Sequence, residues 1–489
     1  MKKILCLILA LLMLVSVVSC GPSSQNDPEG STENTTDAPT SDEITTDDPS
    51  ATTEADATTE AATTEEVSTE PEVDPDEGIT FQTGYSRVVI TPPEEVMELK
   101  GLTKVKDDIY ATCLAMYDGE KTALFISLDM QDLMPDKNDQ IKNKINTVTK
   151  VPKENIFIAV THDHSSVNFG TESVWTFNTC KSIANCAQEA IDDLSTSKMF
   201  VGTGDTTGAA FVRRYVMADG SKTSIWPGEG GAVKCVSEAD ASLQVVRFVR
   251  EDKKDVVLLN WQGHLAHAIA EFPTSLSADI THYLREDIEK GDEDTQVIFF
   301  AGASGNLNLN APNKASQKYE SYIQVARAVA KEALNVMNGD MQRIKAGTIN
   351  IIREVHSTKN ADDPEDVIAA AQNRINAGTG DHQDDAIVAR NRNDYSDLRL
   401  GALSIGDLAF VTAPYEMFDT NGMEIKEGSP FKMTIIVTNS DGAWAYVPSD
   451  EAFTEYGGYE TEKTYFFAGI AEELVAEYLR MLNELSEIK

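Results

Sequence analysis

The sequence predicts a mixed α/β fold, with central mixed β-sheets and helices packed on them. Two observations carry this. Short apolar runs rich in β-branched residues recur along the chain, and amphipathic patterns of helical length lie between several of them. The runs are 123–128 (ALFISL), 156–160 (IFIAV), 256–259 (VVLL), 297–300 (VIFF), 408–411 (LAFV) and 434–437 (TIIV). Runs this short, apolar on nearly every residue, read as buried strands. Helical patterns cover 139–149, 176–195, 276–290, 316–338, 363–377 and 467–485. Residues 359–395 are polar and charge-rich with a helix embedded in them, which suggests a surface insertion. There is no internal repeat.

Residues before 79 have another character. The first twenty, MKKILCLILALLMLVSVVSC, join two lysines to a short apolar run and end in small residues before Cys20, the pattern of a secretory signal. The Val-Ser-Cys ending followed by Gly resembles a bacterial lipoprotein signal. It implies a mature protein held through lipidated Cys20 at the extracellular face of the cytoplasmic membrane. Residues 21–78 hold eighteen Asp or Glu and no Lys or Arg. With so little apolar surface to bury, they are expected to form a disordered, self-repelling stalk. The stalk supplies nearly half of the formal charge of −39. The domain expected over 79–489 is still acidic, which argues against a nucleic-acid partner. Nothing in the sequence sets the oligomeric state. Cys113, Cys180, Cys186 and Cys235 lack zinc-finger spacing.

Each of the better strands runs into an unusual turn. IFIAV leads to Thr161-His162-Asp163-His164, VVLLN to Trp261-Gln262-Gly263-His264, and VIFF to AGASGNLNLN at 301–310. LAFV leads to Thr412-Ala413-Pro414-Tyr415-Glu416, and TIIVTN to DGAWAY, ending at Tyr446. Ligands of open α/β sheets bind outside the carboxyl ends of the strands, so these endings suggest one shared site. In extended backbone His162 and His164 would face the same side. Imidazoles with a carboxylate and an open position suit a catalytic zinc, and His264 and Glu416 offer themselves from other strand ends. The G-A-S-G order of 302–305 does not match a nucleophile elbow. That loop is expected to let backbone approach the site closely.

Further stretches extend the pattern: GYSRVVITPP (84–93), DDIYATCLAMYDGEKTALFISLDM (107–130), VPKENIFIAVTHDHSS (151–166), LLNWQGH (258–264) and LSAD (276–279). FFAGASGNLN (299–308), APYEMFDTNG (413–422) and AYVPSDEAFTEYGGYE (445–460) complete it. In order and spacing this set resembles the neutral/alkaline (non-lysosomal) ceramidase family over nearly all of 80–489. The resemblance implies a mixed α/β domain around one Zn2+ and hydrolysis of the amide of an N-acylsphingosine. By motif, the first histidine of T-H-x-H gives His162 as a metal ligand. The N-W/F-x-x-H turn gives His264, the P-x-E turn Glu416, and the Y-V/I-P segment Tyr446. A second tyrosine position of the family is Ala443 here. The resemblance also puts His164 beside the water and substrate, and Arg213, ahead of Arg214, at the arginine that contacts substrate or transition state.

Three departures narrow this. The family's catalytic serine position reads Asn308, the Gly-Pro after T-H-x-H-S reads Ser166-Val167, and the family's immunoglobulin-like C-terminal domain is not expected. The metal ligands survive these changes; ceramide specificity does not follow. The expectation is a zinc amidase of a small-molecule or lipid amide. His164 would pass the proton, Arg213 or Asn308 would donate to the oxyanion, and Asp279 would orient a ligand from behind. Two alternatives remain: an amidohydrolase-type metal barrel, which needs eight parallel strands closing in sequence, and a surface binding protein that has lost the chemistry.

Overall fold

The computed structural model describes residues 76–169, 173–228 and 231–488. The expected signal and nearly all of the expected stalk lie outside them. No helix among the described residues is long and apolar enough to cross a membrane.

The larger sheet contains β1 (Gln82–Val89), β2 (Tyr110–Tyr117), β3 (Thr122–Leu128), β4 (Ile156–Val160), β5 (Ser195–Asp205), β6 (Ser242–Arg250), β7 (Asp255–Trp261), β8 (Thr295–Ala301) and β9 (Gln342–Ile344). Its order is β8-β7-β6-β5-β1-β2-β3-β4, with β9 beside β5. Only the outer pairs β7–β8 and β3–β4 are parallel; the strands between them run antiparallel. A second sheet, β10 (Ile349–Lys359), β11 (Tyr395–Ile405), β12 (Leu408–Thr412) and β13 (Met433–Val437), lies in that order, with β12–β13 parallel. The fold is therefore mixed α/β as expected. The described strands form no closed barrel, so the amidohydrolase barrel is not this fold.

Side-chain alternation places the layers. On β3, Leu124, Ile126 and Leu128 face one core while Phe125 faces another, and on β4 Ile156, Ile158 and Val160 oppose Phe157. Phe125, Phe157 and Phe300 pack against Leu403, Phe410 and Ile435 of the second sheet, so the two sheets meet face to face. Helices α1 (Pro135–Thr149) and α2 (Val174–Asp192) cover the outside of β2–β4. Helices α3 (Asp279–Gly291) and α4 (Tyr322–Met337) cover β6–β8, and α5 (Ile470–Glu487) covers the second sheet. The result is helix, sheet, sheet, helix. The charge-rich insertion holds two helices, Glu365–Asn376 and His382–Arg390, where the sequence suggested one.

The five polar strand endings meet where the sheets do. Thr438 N–H donates to Ala301 O at 3.1 Å, Gly302 N–H to Trp261 O at 2.9 Å, and Val160 N–H to Asn439 O at 3.1 Å. Ser440 N–H reaches Ala413 O and Asp441 N–H reaches Ile158 O, both at 2.9 Å. A buried ionic knot fixes this corner. Asp441 is left-handed (φ 63°) and fully buried, takes Lys142 Nζ at 2.6 Å, and pairs with Arg353. Burial alone would raise the Asp441 carboxyl, but Arg353 and Lys142 bring it down to about 2. Its stabilisation is therefore complete above about pH 4 and lost as pH falls through the folded value. Asp441→Asn strands two cations and is expected to destabilise the domain by about 3–5 kcal/mol at pH 7. Urea unfolding checks this, and equal midpoints for variant and wild type would contradict it.

Candidate metal centre

His162 lies two residues beyond β4 in an unusual conformation, with φ 61° on a bulky side chain. The turn that imposes it is held from several sides. Thr161 N–H donates to Leu128 O at 2.9 Å, Asp163 N–H to Met130 O at 3.1 Å, and His164 N–H to Leu265 O at 2.9 Å. Ser166 Oγ donates to Asp163 O at 2.6 Å, so this serine closes the turn with its own hydroxyl. The last of the backbone bonds brings the loop after β4 against the loop after β7, which carries His264.

The three imidazoles meet tip to tip. His164 Nε2 lies 3.2 Å from His162 Nε2 and 3.3 Å from His264 Nε2. This is the one His, Cys, Asp or Glu group among the described residues whose ligand atoms converge as a metal site requires. The other ring nitrogens differ. His162 Nδ1 faces Gln131 O at 2.9 Å and His264 Nδ1 faces Ser304 O at 3.3 Å. With both Nδ1 positions donating, both Nε2 atoms present lone pairs. His164 can give a proton to only one of them, so among neutral rings one lone pair faces nitrogen, and without a metal an extra proton on His162 fills that place. A cation between the rings relieves that, and carbonyl-held imidazoles are what metal ligands usually show.

Glu416 supplies the charge. Its Oε2 lies 3.2 Å from His162 Nε2, and it is a buried oxygen with no well-oriented hydrogen bond. The carboxylate arrives on the short strand Tyr415–Met417, which pairs in parallel with Trp444–Val447 so that Glu416 stands opposite Tyr446. Gly305 permits the approach: a Cβ there would lie 2.9 Å from Glu416 O and 3.0 Å from Met417 O. The Gly-rich loop thus lets backbone in close, as expected. Burial pushes the His164 and His264 rings well below the ordinary histidine value, aided by neighbouring cations. Burial acts on His162 in the same direction, but the Glu416 carboxylate overrides it and raises that ring to about 9. Left to themselves, the side chains put one positive charge beside Glu416. The donor set fits a divalent metal.

Tyr446 is buried, and its hydroxyl accepts from an Arg213 terminal nitrogen at 3.2 Å. Arg213 is therefore part of the same cluster, while Arg214 points to Gly457 O and stacks over Phe418. Asn308 is held elsewhere. Its Nδ2 donates to the Tyr215 hydroxyl at 3.0 Å and its Oδ1 accepts from Asn310 N–H at 2.9 Å. No hydrogen bond joins it to the histidines among the described residues. Asp279 accepts from His267 N–H and Ala268 N–H at 3.1 and 2.7 Å, so it steadies the loop after His264 and leaves that ring to Ser304.

Sequence reasoning missed three members. Asp132 Oδ1 lies 3.7 Å from His162 Nδ1 on the ending of β3, a polar strand ending like the five that were read. Tyr459, whose ring is 5.8 Å from that of Tyr446, and Glu460 follow Gly457-Gly458 and open a helix of five residues, too short to show periodicity. Both lie at the end of the quoted stretch 445–460, which gave them no role.

A two-sheet α/β sandwich with helices outside and a three-histidine centre at the sheet junction defines a ceramidase-like fold. The structure is similar to the neutral ceramidase from Pseudomonas aeruginosa, with a TM-score of 0.62 and 13% identity, over 84% of this chain and 75% of that chain. It is equally similar to a ceramidase complexed with C2, with a TM-score of 0.62 and 13% identity, over 84% of this chain and 76% of that one. No family model matches the sequence, and no curated protein matches it. At that identity the likeness is one of fold, and it agrees with the resemblance carried by the strand-ending motifs.

Proposed function

We propose that the chain is a zinc-dependent hydrolase of a linear N-acyl amide, exported and tethered through Cys20. The observation that carries this is the convergence of three Nε2 atoms beside an unsatisfied Glu416 oxygen. His162, His264, Glu416 and Tyr446 would hold the metal. Zinc in that position supplies a Lewis acid for the scissile carbonyl and an acidified water. His164 is the proton carrier: it is half-buried, and no acceptor among the described residues holds its Nδ1. It takes a proton from the attacking water and returns it to the leaving amine. Arg213 donates to the carbonyl oxygen as charge develops. Asn308 enters only if its amide leaves Tyr215, so Arg213 carries that contact.

The signal-like first twenty residues support export, and the changed turn and serine position favour an N-acyl amide class broader than ceramide. Purified protein is expected to contain one zinc per chain by plasma mass spectrometry. It should hydrolyse members of a fluorogenic acyl-amide panel, lose that activity on chelation and regain it with zinc. Chelator-resistant turnover by metal-free protein would sink the proposal. Silence across all acyl lengths with zinc bound would make this a binding protein on the same scaffold.

A further inference from the structure

Glu460 is fully buried in the short helix Tyr459–Lys463, with no exposed surface. It enters the interior through Gly457 (φ 59°) and Gly458 (φ 101°), backbone that a side chain would strain. A Cβ on Gly458 would also meet Ser224 Oγ at 2.5 Å. Inside, one carboxylate serves two consecutive arginines. Oε1 takes Arg213 Nε at 2.5 Å and Oε2 takes an Arg214 terminal nitrogen at 2.6 Å. Arg213 lies in a bend between the short strands Phe211–Val212 and Tyr215–Met217, and there the two consecutive arginines can both reach the one carboxylate.

Arg213 is gripped at further points. One terminal nitrogen, NH2, donates to Gly305 O at 2.8 Å and to the Tyr446 hydroxyl at 3.2 Å. Its guanidinium carbon stands 5.6 Å from the Tyr446 ring and 5.7 Å from the Tyr459 ring. These bonds occupy Nε and NH2. The other terminal nitrogen, NH1, has no acceptor among the described residues and keeps both its hydrogens to give. The charges lead to the same point: one carboxylate between two guanidiniums leaves a net positive charge. Arg214 is meanwhile spent on Gly457 O at 3.3 Å and on the face of Phe418.

We propose that Glu460 is the positioning residue for Arg213, holding its guanidinium so that the free NH1 edge meets the oxygen of the scissile carbonyl. Arg214 is the counter-charge that lets a buried carboxylate do so without neutralising Arg213. The carbonyl contact rests on the amidase reading; the positioning of Arg213 does not.

The test compares the zinc-loaded full chain with Glu460→Gln, Arg213→Met and the double variant. Losing a pre-aligned donor lowers kcat/KM about a hundredfold in Arg213→Met, and loosening it lowers kcat/KM about tenfold in Glu460→Gln. The double variant should be no worse than Arg213→Met. If Glu460→Gln costs the same factor in both backgrounds, Glu460 acts independently of Arg213 and the proposal fails. Phenylglyoxal labelling of the apo proteins, located by peptide mass spectrometry, reads the positioning without turnover. Arg213 should label several-fold faster in Glu460→Gln, and an unchanged rate overturns the proposal even if no substrate is ever found. Conversely, faster labelling in a protein that hydrolyses no amide keeps the positioning and removes the amidase reading.

Discussion

His162→Ala is expected to leave the protein without its zinc and to lower kcat/KM by about a thousandfold or more, the equivalent of some 4 kcal/mol of transition-state stabilisation. The reason is geometric. His162 alone of the three rings touches both Glu416 and the other imidazoles, at 3.2 Å in each direction to its nearest partners. Its loss also removes the contact that steadies the carboxylate. The experiment needs care at the backbone, because φ 61° costs any residue with a Cβ about 1–2 kcal/mol and alanine does nothing to offset it. His162→Asn avoids most of that strain, since asparagine tolerates left-handed backbone, and should lose metal equally. A full zinc complement in both variants, with kcat/KM close to wild type, would remove His162 from the centre.

His164→Gln should behave differently. If His164 moves protons, the variant keeps its zinc and kcat falls by about a hundredfold to ten-thousandfold, with KM little changed. The contrast rests on the Nδ1 atoms. Carbonyls hold those of His162 and His264, while no acceptor among the described residues holds that of His164. The spacing of the three Nε2 atoms would by itself allow His164 to be the third nitrogen ligand. In that arrangement Tyr446, already engaged by Arg213, would stand aside. Zinc content of His164→Gln separates the two, because loss of the metal makes His164 a ligand.

Much of this centre was legible because its donors follow parallel strands. β4, β7, β8, β12 and β13 are buried on both faces, so their runs are uniformly apolar and their ends abrupt. A histidine or glutamate at such an end stands out. The long antiparallel strands were not legible. β5 reads STSKMFVGTGD and β10 reads INIIREVHSTK, with lysine, glycine and arginine on the less covered face. Glycines at 202 and 204 of β5 are needed because a Cβ at either would strike α4 side chains, and this need leaves no trace in periodicity. Glu460 escaped for a similar reason: an acidic residue in a glycine-flanked loop looks solvated until the fold shows it buried between two arginines.

The meeting of two sheets at one corner also bears on how the protein matures. Of the ligands proposed, the first sheet brings only imidazoles, and the strands flanking the second bring only oxygen donors, Glu416 and Tyr446. Neither half owns a complete coordination set, and some 150 residues of chain separate His264 from Glu416. If the proposed ligand set holds a metal, its capture waits until the distant halves have docked, a slow event because a long loop has to close first. On the zinc reading, metal uptake would report completed assembly and come last.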